Sequence, residues 1–317
     1  MNYKNPINIL ELSQSINDKI DLFICSASFE ERCLKIPEQI SKLKPLKVVI
    51  CHNKNHSDSN QRNLEKINSY FENSINLDFI SNDPLSNAVT FLRFLDNLVL
   101  YDNFNIYIDI TTFTHETLLI LFRYLHMRMK NCNIFYIYID AIDYSINEED
   151  PSKKWLSKGI GEIRSVLGYP GIISPAKKNH LIIIFGFESE RTQKLIETYE
   201  SHIVSLAFGP VALSTHKKHY ELNYERHKEL LNYYPDSSSF EVSMIDPIEA
   251  KKDILKQINK FPDMNVIIAP MSTKVSTIGT ALLALENTNV QLTYVTANQY
   301  NIHGYSKAGE NCYLFLL

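Results

Sequence analysis

The sequence predicts an α/β protein, a tandem duplication of two Rossmann-like parallel-sheet lobes. Three observations carry this expectation. Short runs rich in Ile, Val, Leu, Phe and Tyr alternate with helix-period segments along all 317 residues, a pattern that implies parallel strands with helices on both faces. Segments of the first half recur in the second half in the same order, about 160 residues later. The stretch "GYPGIISPAKKN" (Gly168 to Asn179), with two Pro and two Gly, marks a break between the copies.

The first match pairs "DLFICSASFEERCLKI" (Asp21 to Ile36) with "HLIIIFGFESERTQKLIE" (His180 to Glu197), each a strand, a Phe-Glu turn and a helix, with Arg191 standing 159 residues after Arg32. "NIYIDITTFTHETLLIL" (Asn105 to Leu121) matches "NVIIAPMSTKVSTIGTA" (Asn265 to Ala281) at an offset of 160. Asp83–Pro84 and Asp246–Pro247 each put an N-cap before a proline at the first helical position. Asn133–Tyr144 corresponds to Asn289–Tyr300, and "LSKG" (Leu156 to Gly159) to "YSKAG" (Tyr305 to Gly309). In copy one, strands are expected at about Leu22–Ser26, Lys47–Cys51, Asn76–Ile80, Asn105–Ile110, Asn133–Asp140 and Glu162–Val166, with helices starting near Glu30, Gln61, Pro84 and Thr114. Copy two reads Leu181–Phe185, Ile203–Phe208, Phe240–Ile245, Asn265–Ala269, Val290–Thr296 and Cys312–Leu316, with helices near Ser189, Tyr220, Pro247 and Ser276. The domains are therefore expected at 1–170 and 178–317, joined by a linker at about 168–179.

Composition narrows the function. A net charge of −4 and a pI near 6.2 argue against bulk nucleic-acid binding. Five cysteines without a CxxC spacing give neither a disulfide framework nor a zinc knuckle. The cluster "CHNKNH" (Cys51 to His56) reads as a strand running into a polar loop rather than a metal site, and no metal or cofactor is expected. The polar N-terminus and the lack of a long apolar run predict a cytoplasmic chain that does not engage a membrane. Neither lobe has a GxGxxG or a GxxxxGK[ST] stretch.

In open parallel sheets, ligands sit outside the carboxyl ends of the strands, near helix N-termini. Two turns per lobe fall there. The first holds Ser26, Ser28, Phe29, Glu30 and Arg32, matched by Gly186, Phe187, Glu188 and Arg191. An arginine in a first helical turn opposes the helix dipole unless an anion is near. Glu31 or Glu190 could be that anion, or a ligand could be; both readings stay open here. The second turn holds Asp109, Thr111, Thr112, Thr114 and His115, matched by Met271, Ser272, Thr273 and Lys274. Capping explains one hydroxyl; a phosphate would use several hydroxyls, free N–H groups and the Lys274 charge. Tyr144, Tyr300 and Tyr305 follow the fifth strands, where they could stack on a base or close the lobe edges.

The strand, the polar turn "MSTK" (Met271 to Lys274) and the helix after it resemble the signature turn of CRISPR-associated Rossmann-fold (CARF) sensor domains. Two such lobes in one chain resemble the SAVED sensors of bacterial anti-phage systems. The resemblance covers the architecture of the whole chain but few motif residues. Copy two has Ser272 where glycine is usual, and copy one has Thr112-Phe113-Thr114 with no lysine. It implies a nucleotide or oligonucleotide messenger bound between two CARF-like lobes, with signalling to a separate effector protein. The ligand residues would be Ser28, Phe29, Arg32, Thr111, Thr112, Thr114, Tyr144, Phe187, Glu188, Arg191, Met271, Ser272, Thr273, Lys274 and Tyr300.

The asymmetry between "DITTFTH" and "APMSTKV" supports a rival expectation. That rival is an enzyme acting on a phosphodiester or glycosidic bond of a nucleotide, with Asp109, His115 and Glu30 catalytic. A third expectation is a protein-binding scaffold, whose sign would be an exposed apolar patch.

Overall fold

The computed structural model describes residues 6–54, 58–145, 155–302 and 305–317. It is an α/β protein with two mixed, mostly parallel sheets. The first lobe opens with a short strand β1 (Ile7–Asn8) and helix α1 (Leu12–Ser15). It continues through β2 (Leu22–Ala27), α2 (Lys35–Ser41), β3 (Lys47–Asn53), α3 (Asp58–Ser69) and β4 (Ile75–Phe79). Then come α4 (Pro84–Asp96), β5 (Asn105–Asp109), α5 (His115–Arg128) and β6 (Asn133–Tyr144). A 3-10 turn, Glu31–Leu34, precedes α2, so the helix expected near Glu30 begins later and more tightly wound.

β7 (Ser157–Pro170) leads into β8 (Asn179–Ile184), α6 (Ser189–Tyr199), β9 (Ile203–Phe208), α7 (Lys217–Tyr233) and β10 (Ser238–Glu241). The chain ends with α8 (Pro247–Ile258), β11 (Asn265–Pro270), α9 (Lys274–Glu286), β12 (Val290–Tyr300) and β13 (Ser306–Leu316). β10 stops short of the expected Ile245: the Val242 amide still donates to Phe208 O at 2.9 Å, and beyond it side chains take over the amides. Asp253 accepts from the Ser243 amide at 3.0 Å, and Ser243 Oγ accepts from Asp246 N at 3.1 Å.

The sheets run β1-β13-β6-β5-β2-β3-β4 and β10-β9-β8-β11-β12-β7. Strands β2 to β6 are parallel to one another, as are β8 to β12. Numbered within its own lobe, each parallel set has the order 3-2-1-4-5, the first five strands of the Rossmann order. The duplication inferred from sequence is therefore repeated in strand order.

The last strand of each copy departs from expectation. β7, the expected close of the first lobe, pairs antiparallel with β12, and β13 pairs antiparallel with β6. The compact units are accordingly 1–155 with 301–317, and 156–300. The expected domains 1–170 and 178–317 are corrected on this point: the chain crosses at Trp155/Leu156 and at Tyr300/Asn301. Within the Gly168–Asn179 stretch, Gly168–Pro170 ends β7, Asn179 begins β8, and residues 171–178 form a loop inside the second unit. Asn265 fastens it by accepting from Ser174 N at 2.9 Å and donating to Ser174 O at 2.9 Å and Lys177 O at 3.1 Å.

Both cores follow from strands covered on two faces, which read as continuous apolar runs. Leu22, Phe23, Ile24 and Cys25 of β2 are fully buried, as are Leu181 to Ile184 of β8. Tyr107 stacks on Phe135 between neighbouring strands at 4.3 Å between ring centroids. Gly279 lets α9 close on α8, since a Cβ there would lie 2.6 Å from the Pro247 carbonyl oxygen. Among the described residues, no helix is long and apolar enough to cross a membrane.

Candidate functional site

In each lobe the strand order reverses between the first and fourth parallel strands, so the turns after β2 and β5, and those after β8 and β11, are neighbours. In the first lobe Thr112 Oγ1 donates to Ser26 O at 2.9 Å and ties one turn to the other. In the second, Gly186 lies against the Met271 carbonyl so closely that a Cβ would overlap its oxygen.

The first turn of each lobe is held by the same set of polar contacts. In the first lobe Arg32, only 4% exposed, donates to Glu30 Oε2 from NH2 at 2.7 Å and from Nε at 3.1 Å. Its NH1 reaches Ile139 O at 3.4 Å, and Ser306 of β13 donates its hydroxyl to the same Glu30 oxygen at 2.6 Å. In the second lobe Arg191 pairs with Glu188, its NH1 reaches Val295 O at 3.5 Å, and Ser157 of β7 donates to Glu188 through both hydroxyl and amide. Burial works against the Arg32 charge, and Glu30 together with Tyr144 and Tyr138 more than offsets it, holding the guanidinium pKa well above its usual value. The arginines thus resolve as ion pairs. Their partners are Glu30 and Glu188, not the expected Glu31 and Glu190: the nearer carboxylates precede the helical turn and can fold back over it.

The second-turn hydroxyls also have internal partners. Thr114 caps α5 by accepting from Thr117 N at 3.2 Å, and Thr273 caps α9 by accepting from Ser276 N at 3.2 Å. Thr111 is buried and accepts from Ile139 N at 3.2 Å. Thr273 Oγ1 also donates to Met244 O at 2.9 Å, and Ser272 Oγ contacts the Met244 sulfur at 3.2 Å. Three hydroxyls in a row exceed capping because two of them lace strands together. His115 and Lys274 open α5 and α9 and are half-buried.

Asp109 ends β5 at 1% exposure. Its Oδ1 accepts from Thr111 N at 2.9 Å, while Oδ2 is buried without a hydrogen-bond partner. Burial pushes its pKa up to about 7, against the pull of Thr111 and Arg32. Copy two has Ala269 there. The Arg32 guanidinium lies 5.9 Å from the Tyr144 ring centroid, within cation–π range. Phe29 meets Tyr305 edge-on at 5.6 Å, so these aromatics close the edge of the first lobe. Tyr300 pairs in register with Ser157, as Tyr144 does with Ser306.

Two pairs of residues escaped the sequence reading. Asn63 of α3 donates to Ser28 O at 2.7 Å, and Asn223 of α7 donates to Gly186 O at 2.7 Å. Their spacing of 160 residues was the available signal. Ser157 and Ser306 lay inside a recognised match, but their strands' exchange hid their role. Of the "CHNKNH" cluster, Asn55 and His56 fall outside the described residues; His52 pairs with Asp78 at 2.9 Å. No cluster of metal-ligating side chains occurs among the described residues.

No family model matches the chain, and no curated protein does. Among solved structures, the chain is similar to the N-domain, with NADP, of a bacterial malonyl-CoA reductase. That likeness has 8% identity and a TM-score of 0.24 over 85% of this chain and 79% of the other. At that score it carries no argument about ligand or activity.

Proposed function

We propose that the chain is a nucleotide-sensing protein, as its resemblance to CARF and SAVED sensors implies, with its ligand anchored at the strand-order switch of the second lobe. One observation carries this reading. The turns after β8 and β11 meet at the carboxyl ends of adjacent strands, and α9 opens there with Lys274 at its first position. Backbone N–H groups at a helix start and a lysine point charge suit a phosphate. Arg32 and Arg191 pair with Glu30 and Glu188; in this reading the α9 terminus and Lys274 supply the phosphate contacts. A role in cytoplasmic anti-phage defence, with a separate effector protein, belongs to the same reading. Mass spectrometry of small molecules released on denaturing the purified protein tests it. The expected release is a nucleotide or oligonucleotide; no release, together with no heat on titration with nucleotides, would count against it.

A second reading, an enzyme acting on a nucleotide, is favoured by one feature. The Asp109 carboxyl sits near neutrality, the range of a general acid or base. Incubation with labelled nucleotides and analysis of products separates the two readings.

A further inference from the structure

We propose that the first lobe contains a proton-sensitive latch: ionisation of Asp109 draws the Arg32 guanidinium from Glu30 and loosens the hold of Glu30 on Ser306 at the start of β13. The geometry is a continuous chain of contacts. Glu30 binds Arg32, Arg32 NH1 reaches Ile139 O, Ile139 N donates to Thr111 Oγ1, and Thr111 N donates to Asp109. Asp109 ends that chain with a buried oxygen that has no hydrogen-bond partner. A carboxylate ionised in such a place requires a compensating cation.

Three cysteines and Arg32 are among the titratable groups whose charges couple to Asp109. Cys25 comes from β2, Arg32 and Cys33 from the 3-10 turn before α2, and Cys312 from β13. Burial pushes the Cys33 thiol up to about 12 and raises Cys25 and Cys312 as well, so all three stay neutral. Arg32 is then the cation beside Asp109 among the described residues. While Asp109 is protonated, Arg32 belongs to Glu30. Once it ionises, two carboxylates compete for one guanidinium. The second lobe has Ala269 and Met271 at the Asp109 and Thr111 positions, so its Arg191–Glu188 pair has no such competitor. Its Ser157 segment is therefore an internal control.

The test follows wild-type protein from pH 5 to 9. The 13C shift of the Asp109 carboxyl should titrate with a midpoint near 7. Amide exchange at Ser306–Ala308, corrected for intrinsic base catalysis, should rise about tenfold across that midpoint, the factor for one pKa unit of coupling. Ser157–Gly159 should show no such step. Asp109→Asn should abolish the step at Ser306–Ala308. A carboxyl titrating near its ordinary value, an equal step in both segments, or a step that persists in Asp109→Asn would overturn the proposal. Should that variant not fold, the comparison of the two segments in wild-type protein still decides.

Discussion

Ser306 donates its hydroxyl to Glu30 across 276 residues of sequence, at 2.6 Å. The contact exists because β13 leaves the second copy and joins the sheet of the first. Ser157 does the reciprocal with Glu188. Each exchanged strand is thus fastened to the first turn of the lobe it joins, beside the Glu–Arg pair.

Ser306→Ala should lower stability by about 1.5–3 kcal/mol, the range for a hydrogen bond to a charged group. Ser157→Ala should act alike. Urea denaturation followed by Trp155 fluorescence and by circular dichroism would measure both. A loss under about 0.5 kcal/mol in each, the size of an ordinary surface substitution, would show that the seryl contacts do not fasten the strands.

Arg32→Met should be costlier, about 3–5 kcal/mol, because it leaves the Glu30 carboxylate buried without its cation. Adding Glu30→Gln should recover much of the loss, since a neutral amide tolerates burial. If the double variant were as unstable as the sum of the singles, the pair would not be coupled.

Acid should destabilise the protein through three histidines. His180 and His227 are buried and His126 is half-buried, and desolvation lowers the pKa values of all three to about 4. A base with a lowered folded-state pKa contributes stability that is present above the unfolded value, near 6.5, and lost as pH falls toward 4. Asp109 has the opposite sign. Its raised pKa contributes stability present below about 4 and lost as pH rises through about 7. The difference in Tm between Asp109→Asn and wild type should therefore shift in favour of the variant between pH 5 and 8. His180→Gln should flatten the acid limb in thermal melts; an unaltered limb would remove His180 from it.

If a phosphate-bearing nucleotide binds the second lobe, Lys274→Ala should weaken it roughly ten- to a hundred-fold, about 1.5–3 kcal/mol. Thr114→Ala should matter less, because that hydroxyl caps α5. Calorimetry on folded protein checks both, and unchanged affinity in Lys274→Ala would take the phosphate contact away from it.

The sequence by itself determined the elements and their repetition. Apolar runs such as Leu22–Cys25 and Leu181–Ile184 specify strands covered on both faces, and Asp83–Pro84, Thr114 and Asp246–Pro247 specify where helices begin. These are local choices of the backbone, legible within one window. Only the tertiary structure decided which sheet β7 and β13 join, because strand pairing depends on distant partners and both lobes offer an equivalent edge beside their fifth strand. It also decided that Arg32 and Arg191 answer Glu30 and Glu188, with Ser306 and Ser157 completing each pair. Spacing brought several carboxylates within reach of each arginine; burial beneath the exchanged strands selected one in each lobe.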